Sequence, residues 1–387
     1  MRIVSVLQGL DEGGAVATCC LNQVAALNDT HACSVISDGG PPAGAPAIQF
    51  QQVRVPALRW LRRYAHVPRQ ILFILKVGAR LGYARPPQRI DLVLFHSHPP
   101  TALLAPLLQR RLGCRVVMVM HGDIFDRPRG TYDPRLTAWY SLCTSPAYRC
   151  ADAVLALSPN MAKLAIHGGA NSQHVHLVPN GVDSVEIGLD GSAPPPRGQK
   201  LLFVGRLEAN KGIDLLLQAF RQLAPHHLAL QLTCIGSPDV ALLAPIQRQL
   251  QAEGLHSRVR FLPPQPRHSL GAFYAEAALV VIPSRSETQS TVAMEAMAAG
   301  RAVLASNTGG NPMLVDAPNT GLLFRSGDAA DLAAQLERLI SEPESLIAMG
   351  QAAAKRHQAE FTRQRSAEQL LKCVQSINAG INSNVIF

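Results

Sequence analysis

At 387 residues the chain exceeds one ordinary hydrophobic core and suits two domains. Apolar residues make up 47% and charged residues 16%, which excludes a disordered chain and supplies material for buried parallel strands. The net charge of +9 is uneven, because residues 1–183 carry 18 Lys and Arg against 10 Asp and Glu, a balance of +8, which leaves +1 for the rest. The first half therefore has a positive field suited to nucleic acid, anionic headgroups or phosphorylated small molecules, and charge alone does not choose among them.

MRIVSVLQG reads as a first strand over Arg2–Leu7 and lacks the basic start, apolar stretch and small-residue site of a signal peptide. No apolar run approaches the ~20 residues of a spanning helix. A cytoplasmic protein is expected. Further strands follow at Cys33–Ile36, Asp91–Phe95, Arg115–Met120, Ala153–Ala156 and His176–Val178, with helices at Ala17–Leu27 and Thr101–Leu112 among them. That alternation predicts an α/β fold with an open parallel sheet covered on both faces.

Between Asp183 and Lys200 three consecutive prolines exclude helix and strand, so residues 184–199 read as a linker between domains at 1–183 and 200–361. A second alternation follows: strands at Leu201–Val204, Leu230–Ile235, Val259–Phe261, Leu279–Ile282 and Ala302–Ala305, helices at Gly212–Leu223, Ala241–Glu253 and Thr291–Ala299, then closing helices to Asn378. Two doubly wound domains bind ligands at the carboxyl ends of their strands, which predicts a site in a central cleft. The eight cysteines form no CxxC and no zinc-like cluster, so reduced thiols and no metal are expected.

The first chemical signal is Phe203-Val-Gly205-Arg206-Leu-Glu-Ala-Asn-Lys211-Gly212. Two cations at a strand end, on a glycine-flanked loop that opens a helix, can converge on a diphosphate. The second is Pro283-Ser-Arg-Ser-Glu287-Thr288-Gln289-Ser290 through Glu295 to Gly300. Ser286 and Gln289 have capping-box spacing, so the helix is expected to start there, with Glu287 in the loop and Glu295 two turns in. A carboxylate accepts two hydrogen bonds from a vicinal diol, which suits a sugar or a ribose. Glu295 interrupts small apolar residues, where an acid ordinarily has a partner.

Gly13-Gly14 after the first strand and Gly309-Gly310 after Ala302–Ala305 are candidate backbone cradles. His121-Gly122, and His96 with His98, follow strands at positions where a cleft-facing side chain would sit. There is no GxGxxG after the first strand and no GxxxxGK[ST], which disfavours dinucleotide oxidoreductases and P-loop enzymes, and no nucleic-acid recognition module.

Taken together, GRLEANKG, SETQSTVAMEAMAAG and TGG, with Gly13-Gly14, His121-Gly122, Asn180-Gly-Val-Asp183 and Phe361-Thr-Arg, resemble the retaining glycosyltransferases of family 4, over nearly the whole chain. The resemblance implies GT-B architecture, with residues 362–387 returning to the N-terminal domain. It implies that Arg206 and Lys211 bind the diphosphate of a nucleotide-sugar donor, Glu287 the transferred sugar and Glu295 the ribose. It further implies that Gly13 and Gly14 line the diphosphate side, that Gly205 and Thr288-Gln289-Ser290 meet the donor, and that His121 lies beside the reacting sugar. The family's Gly-Phe-Gly is Thr288-Gln289-Ser290 here, an acid after the paired glycines is Met313, and Ala15 stands where many members are polar.

The expected reaction is hexose transfer from a UDP- or GDP-linked donor to a sugar or lipid-linked acceptor, in bacterial surface polysaccharide or glycolipid assembly. Arg206 and Lys211 replace a metal, and no cofactor is expected. The cations and apolar residues of Leu58–Leu75 predict peripheral contact with an anionic membrane. A GT-B epimerase or hydrolase, or a degenerate sugar-nucleotide-binding subunit, remain alternatives.

Overall fold

The computed structural model describes residues 1–8, 15–41, 47–55, 66–83, 89–96, 99–122, 134–189 and 199–378. The chain divides into two compact units, Met1–Gly181 with Arg363–Phe387, and Val182–Thr362.

In the first unit the elements run β1 (Arg2–Leu7), α1 (Ala15–Asn28), β2 (Ala32–Ser37), β3 (Gln49–Gln52), α2 (His66–Tyr83), β4 (Leu92–His96), α3 (Pro99–Ala102), α4 (Ala105–Leu112), β5 (Arg115–Met120), α5 (Pro134–Cys150), β6 (Ala153–Ala156), α6 (Pro159–His167) and β7 (Val175–Leu177). The strands form one parallel sheet in the order β3-β2-β1-β4-β5-β6-β7. Alternate residues of β1 serve its two faces: Val4 and Val6 join one core cluster, Ile3 and Leu7 the other. This two-sided burial is why the strand reads as a continuous apolar run.

The second unit contains β8 (Lys200–Val204), α7 (Ile213–Leu223), β9 (Gln231–Ile235), α8 (Val240–Ala252), β10 (Val259–Leu262), α9 (Leu270–Glu276), β11 (Leu279–Ile282), α10 (Thr291–Ala298), β12 (Ala302–Ser306), α11 (Asn311–Leu314), β13 (Gly321–Phe324), α12 (Ala329–Ser341) and α13 (Pro343–Glu360). Its six strands are parallel in the order β10-β9-β8-β11-β12-β13. Again β11 is shared between faces, with Leu279 and Val281 in one cluster and Val280 and Ile282 in the other. Strand order reverses between β8 and β11, and the loops after those strands carry both sequence motifs.

The last helix, α14 (Arg363–Asn378), belongs to the first unit, where Ala367, Leu370 and Val374 are buried in the cluster that includes Leu21 and Val24 of α1.

Several boundaries differ from the sequence expectation. Residues 182–189, the last two of the expected first domain and the start of the expected linker, are part of the second unit: Ser184–Ile187 form a 3₁₀ turn, and Val182, Ile187 and Leu189 are buried in its core. The proline run lies outside the described residues. Thr101–Leu112, expected as one helix, is two short helices, α3 and α4, with Leu103 and Leu104 between them. Strand β3 was not expected, because Gln49-Phe-Gln-Gln is polar and lies at the sheet edge, where only one neighbour pairs with it.

Candidate functional site

The loop after β8 rises through Gly205 and Arg206 to a 3₁₀ turn at Ala209–Lys211, and Gly212, in left-handed conformation with φ 71°, starts α7. A Cβ on Gly212 would lie 1.9 Å from the carbonyl oxygen of Pro283, so only glycine lets this loop touch the backbone after β11. Gly309, also left-handed, leaves still less room, since a Cβ there would lie 1.4 Å from the Glu287 carbonyl oxygen, and the Gly310 amide donates to that same oxygen at 3.1 Å. The expected Gly309-Gly310 cradle thus holds the backbone of Glu287 in place.

These contacts bring Lys211 and Glu287 together. Lys211 Nζ donates to Glu287 Oε2 at 2.7 Å, and the Ser284 hydroxyl donates to the same oxygen at 3.2 Å. Both side chains keep some exposure, 26% for Lys211 and 13% for Glu287, so the pair is partly desolvated yet reachable. Arg206 is more exposed, at 59%, and its guanidinium holds Glu208 at 2.9 Å.

The helix start differs from the capping-box expectation. Ser290, not Ser286, is the cap, its hydroxyl accepting from the Ala293 amide at 3.2 Å, so α10 begins at Thr291. Thr288 is partly exposed, while Gln289 and Ser290 are buried. Glu295 is consequently only the fifth residue of α10, little more than one turn in. It is buried, and its surroundings supply partners: the Tyr274 hydroxyl donates to Oε2 at 2.7 Å and Arg267 Nη2 lies 2.8 Å from Oε1. Burial, reinforced by the Glu295 charge, pushes the Tyr274 phenol well up, which keeps it a donor.

In the first unit, His121 follows β5 and is buried beside His96 at the end of β4. His96 Nδ1 and His121 Nε2 are 2.8 Å apart and the rings are near parallel, with centroids 5.1 Å apart. Burial lowers both: His121 to about 4, and His96 well below its ordinary value with His121 adding to the effect. Both rings are therefore neutral near pH 7, one donating and the other accepting. Gly13, Gly14 and His98 lie outside the described residues.

Sequence reasoning missed Arg285, Asp214, Tyr274 and Arg267. Arg285 carried a usable signal, a permanent cation inside a strand-end loop beside Glu287. Tyr274 carried none, since nothing in the spacing ties it to Glu295.

Residues 13–186 match the family model described as Glycosyltransferase Family 4, and residues 190–356 match the model described as Glycosyl transferases group 1. The chain is 39% identical over 188 residues to a D-inositol 3-phosphate glycosyltransferase of Corynebacterium jeikeium, covering 47% of this chain and 45% of the relative. It is 32% identical over 322 residues to D-inositol 3-phosphate glycosyltransferase 1 of Catenulispora acidiphila, covering 77% and 75%. The chain spans about half the length of the first curated relatives it matches. Among solved structures, sucrose-phosphate synthase from Thermosynechococcus elongatus superposes with TM-score 0.79 at 20% identity, over 98% of this chain and 100% of that one. Anabaena HepE in complex with UDP-glucose superposes with TM-score 0.72 at 19% identity, over 97% and 100%. At these identities the two structures speak for the fold.

Proposed function

The chain belongs to the family 4 glycosyltransferases, with α/β architecture of the GT-B type, and from that premise we propose that it moves a hexose from a nucleoside diphosphate sugar to an acceptor hydroxyl with retention of configuration. The observation that carries this reading is the Lys211–Glu287 pair at 2.7 Å, set where strand order reverses, with Arg206 on the same loop. A cation beside a carboxylate matches a ligand that is anionic at its diphosphate and rich in hydroxyls at its sugar.

In the proposed reaction the bond between the anomeric carbon and the diphosphate oxygen breaks, and negative charge grows on the diphosphate. Arg206 and Lys211 stabilise that charge where it develops, in place of a metal. Glu287 accepts hydrogen bonds from sugar hydroxyls, and Glu295 from the ribose. The acceptor oxygen attacks from the same face, and its proton passes to the departing diphosphate. His121, neutral on account of its burial, serves as a hydrogen-bonding group and not as a cation.

HepE was solved with UDP-glucose, which favours a uridine donor. The curated relatives are named for D-inositol 3-phosphate, and the balance of +8 over residues 1–183 suits an anionic acceptor, a phosphorylated polyol or a lipid-linked phosphate. The lipid-linked form places the protein in surface polysaccharide or glycolipid assembly, peripheral at the inner face of the membrane. Ile71 and Leu75 on α2, 41% and 63% exposed, support that contact, with Arg80 exposed on the same helix. No helix among the described residues is long and apolar enough to cross a membrane.

The test is a thermal-shift screen against UDP, GDP, ADP and their sugar conjugates, followed by product analysis with and without acceptor. One nucleotide family should stabilise the fold, and the anomeric coupling constant of the product should match that of the donor. Donor consumption without acceptor would move the assignment to an epimerase or hydrolase, and binding without turnover to a degenerate subunit.

A further inference from the structure

Arg285 does more than follow β11. Its backbone amide donates to the Asn210 carbonyl at 2.8 Å, and its guanidinium donates to both Asp214 oxygens, at 2.8 and 2.7 Å, and to the Ala209 carbonyl. Ala209 and Asn210 are the first two residues of the 3₁₀ turn whose third is Lys211, and Asp214 lies in the first turn of α7. Glu287 comes two residues after Arg285. The contacts close a ring in which one loop grips the other at Arg285, and Lys211 returns across to Glu287.

We infer that Arg285, held by Asp214, is a positioning residue that fixes Lys211 for the donor phosphate. Two physical points separate this role from ordinary structural support. The pair is partly exposed, 36% for Arg285 and 27% for Asp214, and such pairs add little to global stability. The two-pronged geometry, however, removes the rotational freedom of exactly one short turn, and a planar fork does this where a single ammonium would not. Burial does not hold that turn either, since Ala209, Asn210 and Lys211 are each at least partly exposed. The inference rests on the reading of Lys211 as a diphosphate ligand.

The experiment has two readouts on the full chain, wild type against R285A, R285K and D214N. The first is nucleotide-free: acylation of Lys211 by an N-hydroxysuccinimide ester, quantified by mass spectrometry against Lys200 as internal reference. Loosening the turn releases Lys211 from Glu287, so R285A and D214N should label Lys211 several-fold faster, with R285K between them and wild type. The second is calorimetric binding of UDP, with GDP and ADP in parallel. R285A should bind about tenfold more weakly than wild type, while adding R285A to K211A should cause no further loss, the coupling expected of residues acting as a unit. Unchanged Lys211 labelling, or an equal loss with and without Lys211, overturns the inference. If wild type binds none of the three nucleotides, the donor reading itself has failed, and the labelling rates still decide whether Arg285 positions Lys211.

Discussion

The Tyr274 hydroxyl donates to Glu295 Oε2 at 2.7 Å in a setting where both residues are buried, while Arg267 meets the other carboxylate oxygen at 2.8 Å. A carboxylate held from two sides has a fixed orientation and a fixed set of remaining lone pairs. Y274F removes one charge-assisted hydrogen bond and should lower stability by about 2 kcal/mol in urea denaturation. If Glu295 reads the ribose diol, the same variant should also narrow the preference for UDP over 2′-deoxy-UDP in a binding titration. A preference unchanged by Y274F would detach Glu295 from ribose recognition.

In the proposed reaction Lys211 stabilises charge that forms only as the donor bond breaks. K211A should therefore cut turnover roughly 10²- to 10³-fold, in the range seen when one preorganised electrostatic group is removed. Its melting temperature should stay within a few degrees of wild type, because the pair with Glu287 is partly exposed. Initial-rate kinetics together with a thermal melt separate the two effects, and near-normal turnover would end the assignment.

Glycine at 309 is demanded twice, by a φ of 56° and by the Glu287 carbonyl, which a Cβ would meet at 1.4 Å. Gly327 has a φ of 83° with nothing within 4 Å of a Cβ. G327A should cost about 1 kcal/mol, the left-handed penalty alone. G309A should cost roughly 3 kcal/mol or more, since backbone must move, and, if Glu287 holds the transferred sugar, should weaken binding of the nucleotide sugar more than of the bare nucleotide. Equal costs in denaturant titrations would show that the close approach is unimportant.

His121 and His96 are held neutral by burial, with His121 lowered to about 4. Their folded values lie below those of the unfolded chain, near 6.5, so between these limits the unfolded state binds more protons. Stability should consequently be full above about pH 6.5 and decline as pH falls toward 4, by about 3 kcal/mol for a shift the size of that on His121. The double variant H96N/H121N should flatten much of that slope in urea melts at pH 7.5 and 5. His176 and His357, also lowered by burial, should leave a residual slope.

What could be read from sequence followed from repetition. Buried parallel strands such as Arg115–Met120 and Ala153–Ala156 are apolar on both faces, so their limits matched the structure residue for residue. The candidate-site loops after β8 and β11, which the structure brings into contact, were legible because glycines and charges at strand ends are uncommon without a reason. Illegible features depended on distance in the chain. Arg285 and Asp214 are 71 residues apart and Tyr274 and Glu295 are 21 apart, so their pairing exists only once the loops are folded. The capping box failed for a local reason: Ser290 also carries a hydroxyl, and its amide-facing geometry won over Ser286.

The path of the chain has a practical corollary. The second unit is an insertion, leaving the first after Gly181 and rejoining it at Arg363. Its two ends are already fastened together, since the Val182 amide donates to the Phe361 carbonyl at 2.9 Å and the His357 ring bonds the Val182 carbonyl. A gene fragment encoding residues 182–362 thus carries a self-closed body, suited to separate expression and nucleotide titration. The first unit has no such shortcut. A stop codon after Gly181 strips away α14 and uncovers the apolar side of α1, so producing that half alone requires splicing Gly181 to Arg363.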